Sequence, residues 1–123
     1  MRMLKLALPA ILALLAVAYC VMYHYLSLQV AFADDQVDII EYIKIKALES
    51  DPSQNPSGTV DFLEAIVQYY PSGTKQRSGS KLDRIVENVR KAAVREVIAF
   101  LRDKLKIDLG DDPQKWIEHY QAK

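Results

Sequence analysis

The sequence predicts an all-α protein, and three observations carry that expectation. The run from Leu6 to Ala33 contains no Asp, Glu, Lys or Arg. Downstream, apolar residues recur at helical spacing, and no segment alternates with period two over a useful length. Stretches rich in proline, glycine and serine ("DPSQNPSG", "PSGTKQRSGS") punctuate the pattern as helix breakers do. The chain has 123 residues, 16 basic and 16 acidic, with half of its residues apolar. That composition suits one hydrophobic segment and one small domain. The divisions expected are a transmembrane anchor over residues 1–33, a helical stalk over 34–50, and a small extracytoplasmic helical domain over 51–123.

The anchor comes first. Arg2 and Lys5 precede the apolar run, as in a signal peptide, and Ala31-Phe32-Ala33 has the small-x-small form that signal peptidase cuts. The run is nevertheless too long for a signal peptide, whose apolar core is ~7–15 residues. As a helix, Leu6 to Leu26 spans about 32 Å at ~1.5 Å per residue, close to the ~30 Å hydrocarbon thickness. Tyr19, Tyr23 and Tyr25 cluster toward its far end, where interfacial aromatics sit. A retained anchor is therefore expected, with a form cleaved to a soluble periplasmic interaction domain as the competing reading. "VAYC" places a bulky Tyr19 where a lipobox wants a small residue, so Cys20 is read as a small buried hydrophobe. Arg2 and Lys5 precede the span and Asp34, Asp35, Asp38 and Glu41 follow it. The positive-inside rule then puts the N-terminus in the cytoplasm and the domain in the periplasm of a bacterial inner membrane.

The first helix is expected from about Leu4 to Glu49, because Val30, Ala33, Val37, Ile40, Ile43 and Ala47 keep helical spacing until Pro52. Thr59 is expected to cap a second helix over 60–70, with Phe62, Leu63, Ile66 and Val67 facing inward. Ser80 opens a third, with Asp83 at N3, running to about Lys106. Its inner face is expected to carry Leu82, Val86, Val89, Ala93, Val97, Phe100 and Leu101. Gly110, Asp112 and Pro113 then form a turn, an N-cap and an N1 proline. The last helix presents Trp116, Ile117 and Tyr120 on one side.

The segment "VREVIAFLRDKLKIDLGDDPQKWIEHY" resembles the closing part of HEAT-like helical-repeat proteins of bacteria. The shared features are an apolar-Gly-x-Asp-like turn, an Asp-Pro, and a terminal helix bearing tryptophan. "YYPSGTKQRSGSKLDRIVENVR" is similar to part of a bacterial membrane-anchored helical family. The resemblance covers the last ~55 residues. It departs at Lys106, where that turn usually has glycine, and there is no second repeat. It implies an interaction scaffold with no activity attached.

Residue chemistry points the same way. One cysteine allows neither an intrachain disulfide nor a cysteine-based metal site. Carboxylates are scattered over amphipathic helices, and no nucleophile, base and acid occur in a catalytic arrangement, so no enzyme is expected. His24 lies near the outer end of the span. It is read as an interfacial histidine, with axial ligation of a haem or chlorophyll-type pigment as the alternative.

Cations form the clearer pattern. Lys75, Arg77, Lys81 and Arg84 surround a glycine-bearing loop leading to a helix N-terminus, a setting that suits anions. The plainer reading is a flexible linker. On the third helix, Arg84, Lys91, Arg95, Arg102 and Lys106 are spaced 7, 4, 7 and 4 and fall within about 60° of one line. Like charges at Lys91/Arg95 and Arg102/Lys106 repel, and Glu87 is expected to offset part of this through Lys91. Such a stripe faces solvent, the acidic stalk of the same chain, an acidic partner subunit or anionic headgroups. Nucleic acid is not expected for an extracytoplasmic domain. The leading expectation is a non-catalytic, single-pass accessory subunit of a bacterial membrane complex. The alternative is a subunit contacting a cofactor through His24 in an electron-transfer or photosynthetic assembly.

Overall fold

The computed structural model describes residues 2–121. Four helices follow in chain order: α1 (Arg2–Glu49), α2 (Pro56–Gln68), α3 (Lys81–Leu105) and α4 (Pro113–Gln121). No strand occurs among the described residues. The fold class expected from the sequence is the one observed.

Helix α1 runs unbroken for 48 residues, about 72 Å at ~1.5 Å per residue. Pro9 lies near its start, where few preceding turns exist to be disrupted. The helix is long and apolar enough to cross a membrane, and no residue of its most apolar window is buried. Burial begins at Ala33 and continues through Gln36, Ile40 and Ala47. Those intervals of three, four and seven place the four residues on a single stripe. Val37 and Ile43 pack at its margins, whereas Val30, in the same sequence row, is 54 % exposed.

Helix α2 returns antiparallel to α1. At one end Ser50 and Thr59 share a hydroxyl hydrogen bond of 2.6 Å. At the other, Lys75 just beyond α2 lies over the ring of Phe32. The N-cap is Asn55, whose Oδ1 accepts from the Gly58 N–H at 3.0 Å, and Pro56 follows at N1. The helix thus starts a turn earlier than the expected Thr59 cap. An Asn-Pro pair satisfies the first orphan amide and presets φ, while Thr59 is buried against Ser50. Leu63 and Ile66 enter the core, with Phe62 and Val67 half-buried beside them.

Helix α3 runs parallel to α1. Leu82, Ile85 and Val89 lie beside Val30, Ala33 and Val37, and Glu96 reaches Lys44 at 3.3 Å. Val86, Ala93, Val94, Val97, Ile98 and Leu101 are buried, whereas Phe100 is only half-buried. Arg90 is buried too, at 6 % exposure. Its Nη1 donates to the Ile66 carbonyl at 2.5 Å and its Nη2 to the Tyr70 carbonyl at 2.9 Å. Its Nε pairs with Glu87 at 3.1 Å. The guanidinium thereby satisfies carbonyls left over at the end of α2 and sits at the negative end of that helix's dipole.

The connection to α4 turns on Gly110, whose φ of +91° only glycine adopts without strain. Its carbonyl accepts from Trp116 Nε1 at 2.9 Å, so the fully buried indole is satisfied. Helix α4 packs on α2 through Trp116 and Ile117, with Tyr120 half-buried, and Gln121 Nε2 donates to Glu64.

Two outcomes follow from this packing. Residues 51–123 expressed without α1 lose the buried stripe of Ala33, Ile40 and Ala47 on which α2 and α3 pack, and a chain that short has little core to spare. Thermal melting by circular dichroism should be broad and dye binding raised; sharp monomeric melting would refute the role given to α1. Separately, Lys106 caps α3 in the left-handed region at φ +56°, where an L side chain costs roughly 1–2 kcal/mol. Lys106→Gly should therefore raise stability in a full-chain denaturation series by about 0.5–1 kcal/mol, after the added freedom of the unfolded chain is deducted.

Candidate functional site: the cationic face and the loop beside the apolar run

The loop between α2 and α3 is held by one carboxylate. Asp83, at N3 of α3, is buried at 4 % exposure. Its Oδ2 accepts from Ser72 Oγ at 2.7 Å and the Gly79 N–H at 3.0 Å, and its Oδ1 from the Gly73 N–H at 3.3 Å. The Ser80 hydroxyl accepts from the Asp83 N–H at 3.2 Å, completing the N-terminal cap. The Ser72 hydroxyl, the Gly79 amide and the Gly73 amide, with help from Arg90, hold the Asp83 carboxyl below its ordinary pKa against the opposing effect of burial. A second tie crosses to α1, where Gln76 Nε2 donates to Gln36 Oε1 at 2.6 Å and both side chains are buried. The expected flexible linker is thus a folded loop fastened at both ends.

Folding places this loop beside the end of the apolar run. Lys75 Nζ stands 4.5 Å from the ring centroid of Tyr70 and 5.7 Å from that of Phe32. Arg77, Lys81 and Arg84 are exposed around it. The loop cations therefore gather at the level where α1 turns from apolar to acidic surface.

Along α3 the stripe divides in two. Arg102 is occupied within the chain: Nε meets Asp108 at 3.0 Å and Nη2 meets Asp111 at 3.0 Å. Nη2 also donates to the Gly110 carbonyl at 3.3 Å. Lys106 approaches Asp103 at 3.5 Å. By contrast Arg84, Lys91 and Arg95 are exposed and form no ion pair among the described residues. Glu87, expected to partner Lys91, pairs with Arg90 instead, because the buried guanidinium has the greater need of an anion. The stalk acids do not reach the stripe; Glu41 pairs with Lys44 at 2.6 Å. Between α2, α3 and α4 lies a groove with Val67, Val94 and Pro113 as apolar lining and Lys91, Arg95 and Asp111 at its edges.

The residues of the apolar run are arranged more simply. His24 is exposed on α1, in a shallow depression with Cys20, Val21, Tyr25 and Leu28 of the same helix. Tyr19 and Tyr23 stack with ring centroids 6.4 Å apart, and Tyr25 is exposed on another face of the helix. No group of three or more His, Cys, Asp or Glu able to hold a metal ion occurs among the described residues.

Sequence reasoning missed Arg90, Gln36 and Gln76. For Arg90 a signal existed, since it lies four residues after Val86 on the buried row. The pairing of Gln36 with Gln76 crosses 40 positions and leaves no local trace. Compared with known proteins, the chain matches no family model, no curated protein and no solved structure.

The Asp83 network makes stability pH-dependent. A carboxyl held below its unfolded pKa stabilises the fold fully above that unfolded value, near ~4, and the contribution is lost as pH falls through the lower folded value. Melting temperature should therefore drop on acidification below about pH 4. Asp83→Ala should cost roughly 2–3 kcal/mol at neutral pH and flatten that acid limb. An unchanged limb in the variant would show that other groups control it.

Proposed function

We propose that the chain is a non-catalytic, single-pass accessory subunit of a larger bacterial membrane complex, acting in assembly, stabilisation or docking. In this reading α1 spans the inner membrane. The cations before its apolar run and the acids after it favour a cytoplasmic N-terminus and a periplasmic domain. The HEAT-like resemblance of the last ~55 residues, an interaction scaffold, belongs to the same reading.

The carrying observation is the split stripe. Arg102 already holds an acidic turn of its own chain, which illustrates the kind of segment this face accepts. Lys91 and Arg95 continue the line without partners, at the edge of an apolar groove. An acidic segment of a neighbouring subunit, with an apolar residue for the groove, satisfies both parts. Charge at such an edge contributes chiefly to selection and speed of association, while the apolar floor supplies contact area.

Mild-detergent isolation of the tagged full chain from its native membrane, followed by mass spectrometry, identifies the partners. The double variant Lys91→Glu with Arg95→Glu should lose the stoichiometric partner while keeping its helix content, and the loss should be greater at low salt. Full retention of the partner by a folded double variant would sink the docking assignment. A pull-down that returns no stoichiometric partner would sink the subunit reading.

A further inference from the structure

A cleft at the end of the domain nearest the apolar run is not used by the docking reading. Phe32, Asp35, Gln36 and Ile39 of α1 form one wall, and Tyr69, Tyr70 and Lys75 form the other, around a volume of ≈ 200 Å³. Three features point to a ligand. The Nε2 of Gln36 is buried and has no hydrogen-bond partner among the described residues. Gln36 Oε1 accepts from Gln76 Nε2, which leaves Nε2 as the free group of that amide. A buried donor left unpaired is costly, so an acceptor brought to it is favoured. Next, Lys75 and Asp35 line the same cleft, yet neither forms an ion pair with any described residue. Finally there is height. The uncharged run from Leu6 to Ala33 measures about 42 Å as a helix, matching the ~40–45 Å of a bilayer with its headgroups. On that register the hydrocarbon core covers about residues 10–29, rather than the 6–26 expected from sequence, so Phe32 falls in the headgroup layer and Asp35 at its outer edge.

We infer that this cleft binds the headgroup of a glycerophospholipid carrying both a phosphate and a primary ammonium, of the phosphoethanolamine type. The phosphate diester accepts from Lys75 Nζ, and from Gln36 Nε2 once the side chains covering that atom move aside. The ammonium donates to the Asp35 carboxylate, with the faces of Phe32 and Tyr70 beside it. A free phosphate dianion gains Lys75 but meets Asp35 as a like charge. A trimethylated headgroup has no N–H for Asp35, and a glycerol headgroup has no cation for it. The inference rests on the insertion of α1 proposed above and is independent of the groove at Lys91 and Arg95.

The test uses the full chain reconstituted in phosphatidylcholine bilayers containing a minor fraction of phosphatidylethanolamine or phosphatidylglycerol. Flotation reads anchoring. Mild-detergent extraction and native mass spectrometry then read the retained lipid. The wild type should float and retain phosphatidylethanolamine in preference to the other two. Lys75→Ala, at an exposed position, should lower that retention about fivefold, Asp35→Asn should abolish the preference for the ethanolamine headgroup, and Lys91→Ala should change neither. Failure to float removes the anchor and the cleft's ligand together. Flotation with lipids retained in proportion to supply, or unchanged retention by Lys75→Ala, overturns the cleft alone. Displacement of the lipid by inorganic phosphate also overturns it, in favour of a free-phosphate site.

Discussion

Helix α1 carries two kinds of surface, exposed apolar and amphipathic, on one continuous ladder of backbone hydrogen bonds. A helix satisfies its own amides and carbonyls wherever it runs, so the same backbone serves the exposed apolar stretch up to Phe32 and the buried stripe from Ala33. No glycine or proline intervenes between them. The domain is therefore joined to the apolar run without a hinge. Its rotation about the helix axis is set by the stripe of Ala33, Gln36, Ile40 and Ala47, and its height by where that stripe begins. The remaining helices are arranged around those two constraints.

Because burial starts within one residue of the exposed apolar surface, the near end of the domain must be closed by the α2–α3 loop. A loop carrying that many polar groups needs internal partners. Arg90 secures the end of α2, Asp83 secures the turn into α3, and the pair Gln76 and Gln36 fastens the loop to α1. Each interaction uses a different donor or acceptor, so together they fix the backbone at several points and bring Lys75 over Phe32. The far end is closed by the same means, with Arg102 gathering Asp108, Asp111 and the Gly110 carbonyl that also receives Trp116.

What the sequence made legible was governed by period and by local chemistry. The helices and most of their inner faces follow from spacing, and the caps at Ser80 and Asp112 from residue type. The start of α2 was misread because Gly58 and Pro56 look like breakers, whereas Asn55 turns them into an N-terminus. The candidate site was legible only as charge. Periodicity places five cations on one line but cannot tell which have partners: Arg102 finds its acids in a loop six to nine residues on, and Glu87 chooses Arg90 over Lys91. The cleft around Gln36 was not legible, because it joins residues 32–39 to residues 69–75, two segments distant in the chain.

The two surfaces proposed for binding are separated along the molecule. Helix α3 begins beside Ala33 and rises parallel to α1, so Lys91 and Arg95 stand about 15–21 Å along the axis from its first residue, Lys81, at ~1.5 Å per residue. That distance exceeds the ~8 Å screening length at physiological ionic strength. Substitutions in one surface should then act on the other only through the fold, and distant sites without shared partners behave additively. The lysine near Phe32 is at headgroup height in the proposed orientation, whereas the open pair on α3 is beyond it. In that orientation a bilayer neutralises the first without reaching the second, so the docking proposed at Lys91 and Arg95 calls for an acidic segment held above the bilayer.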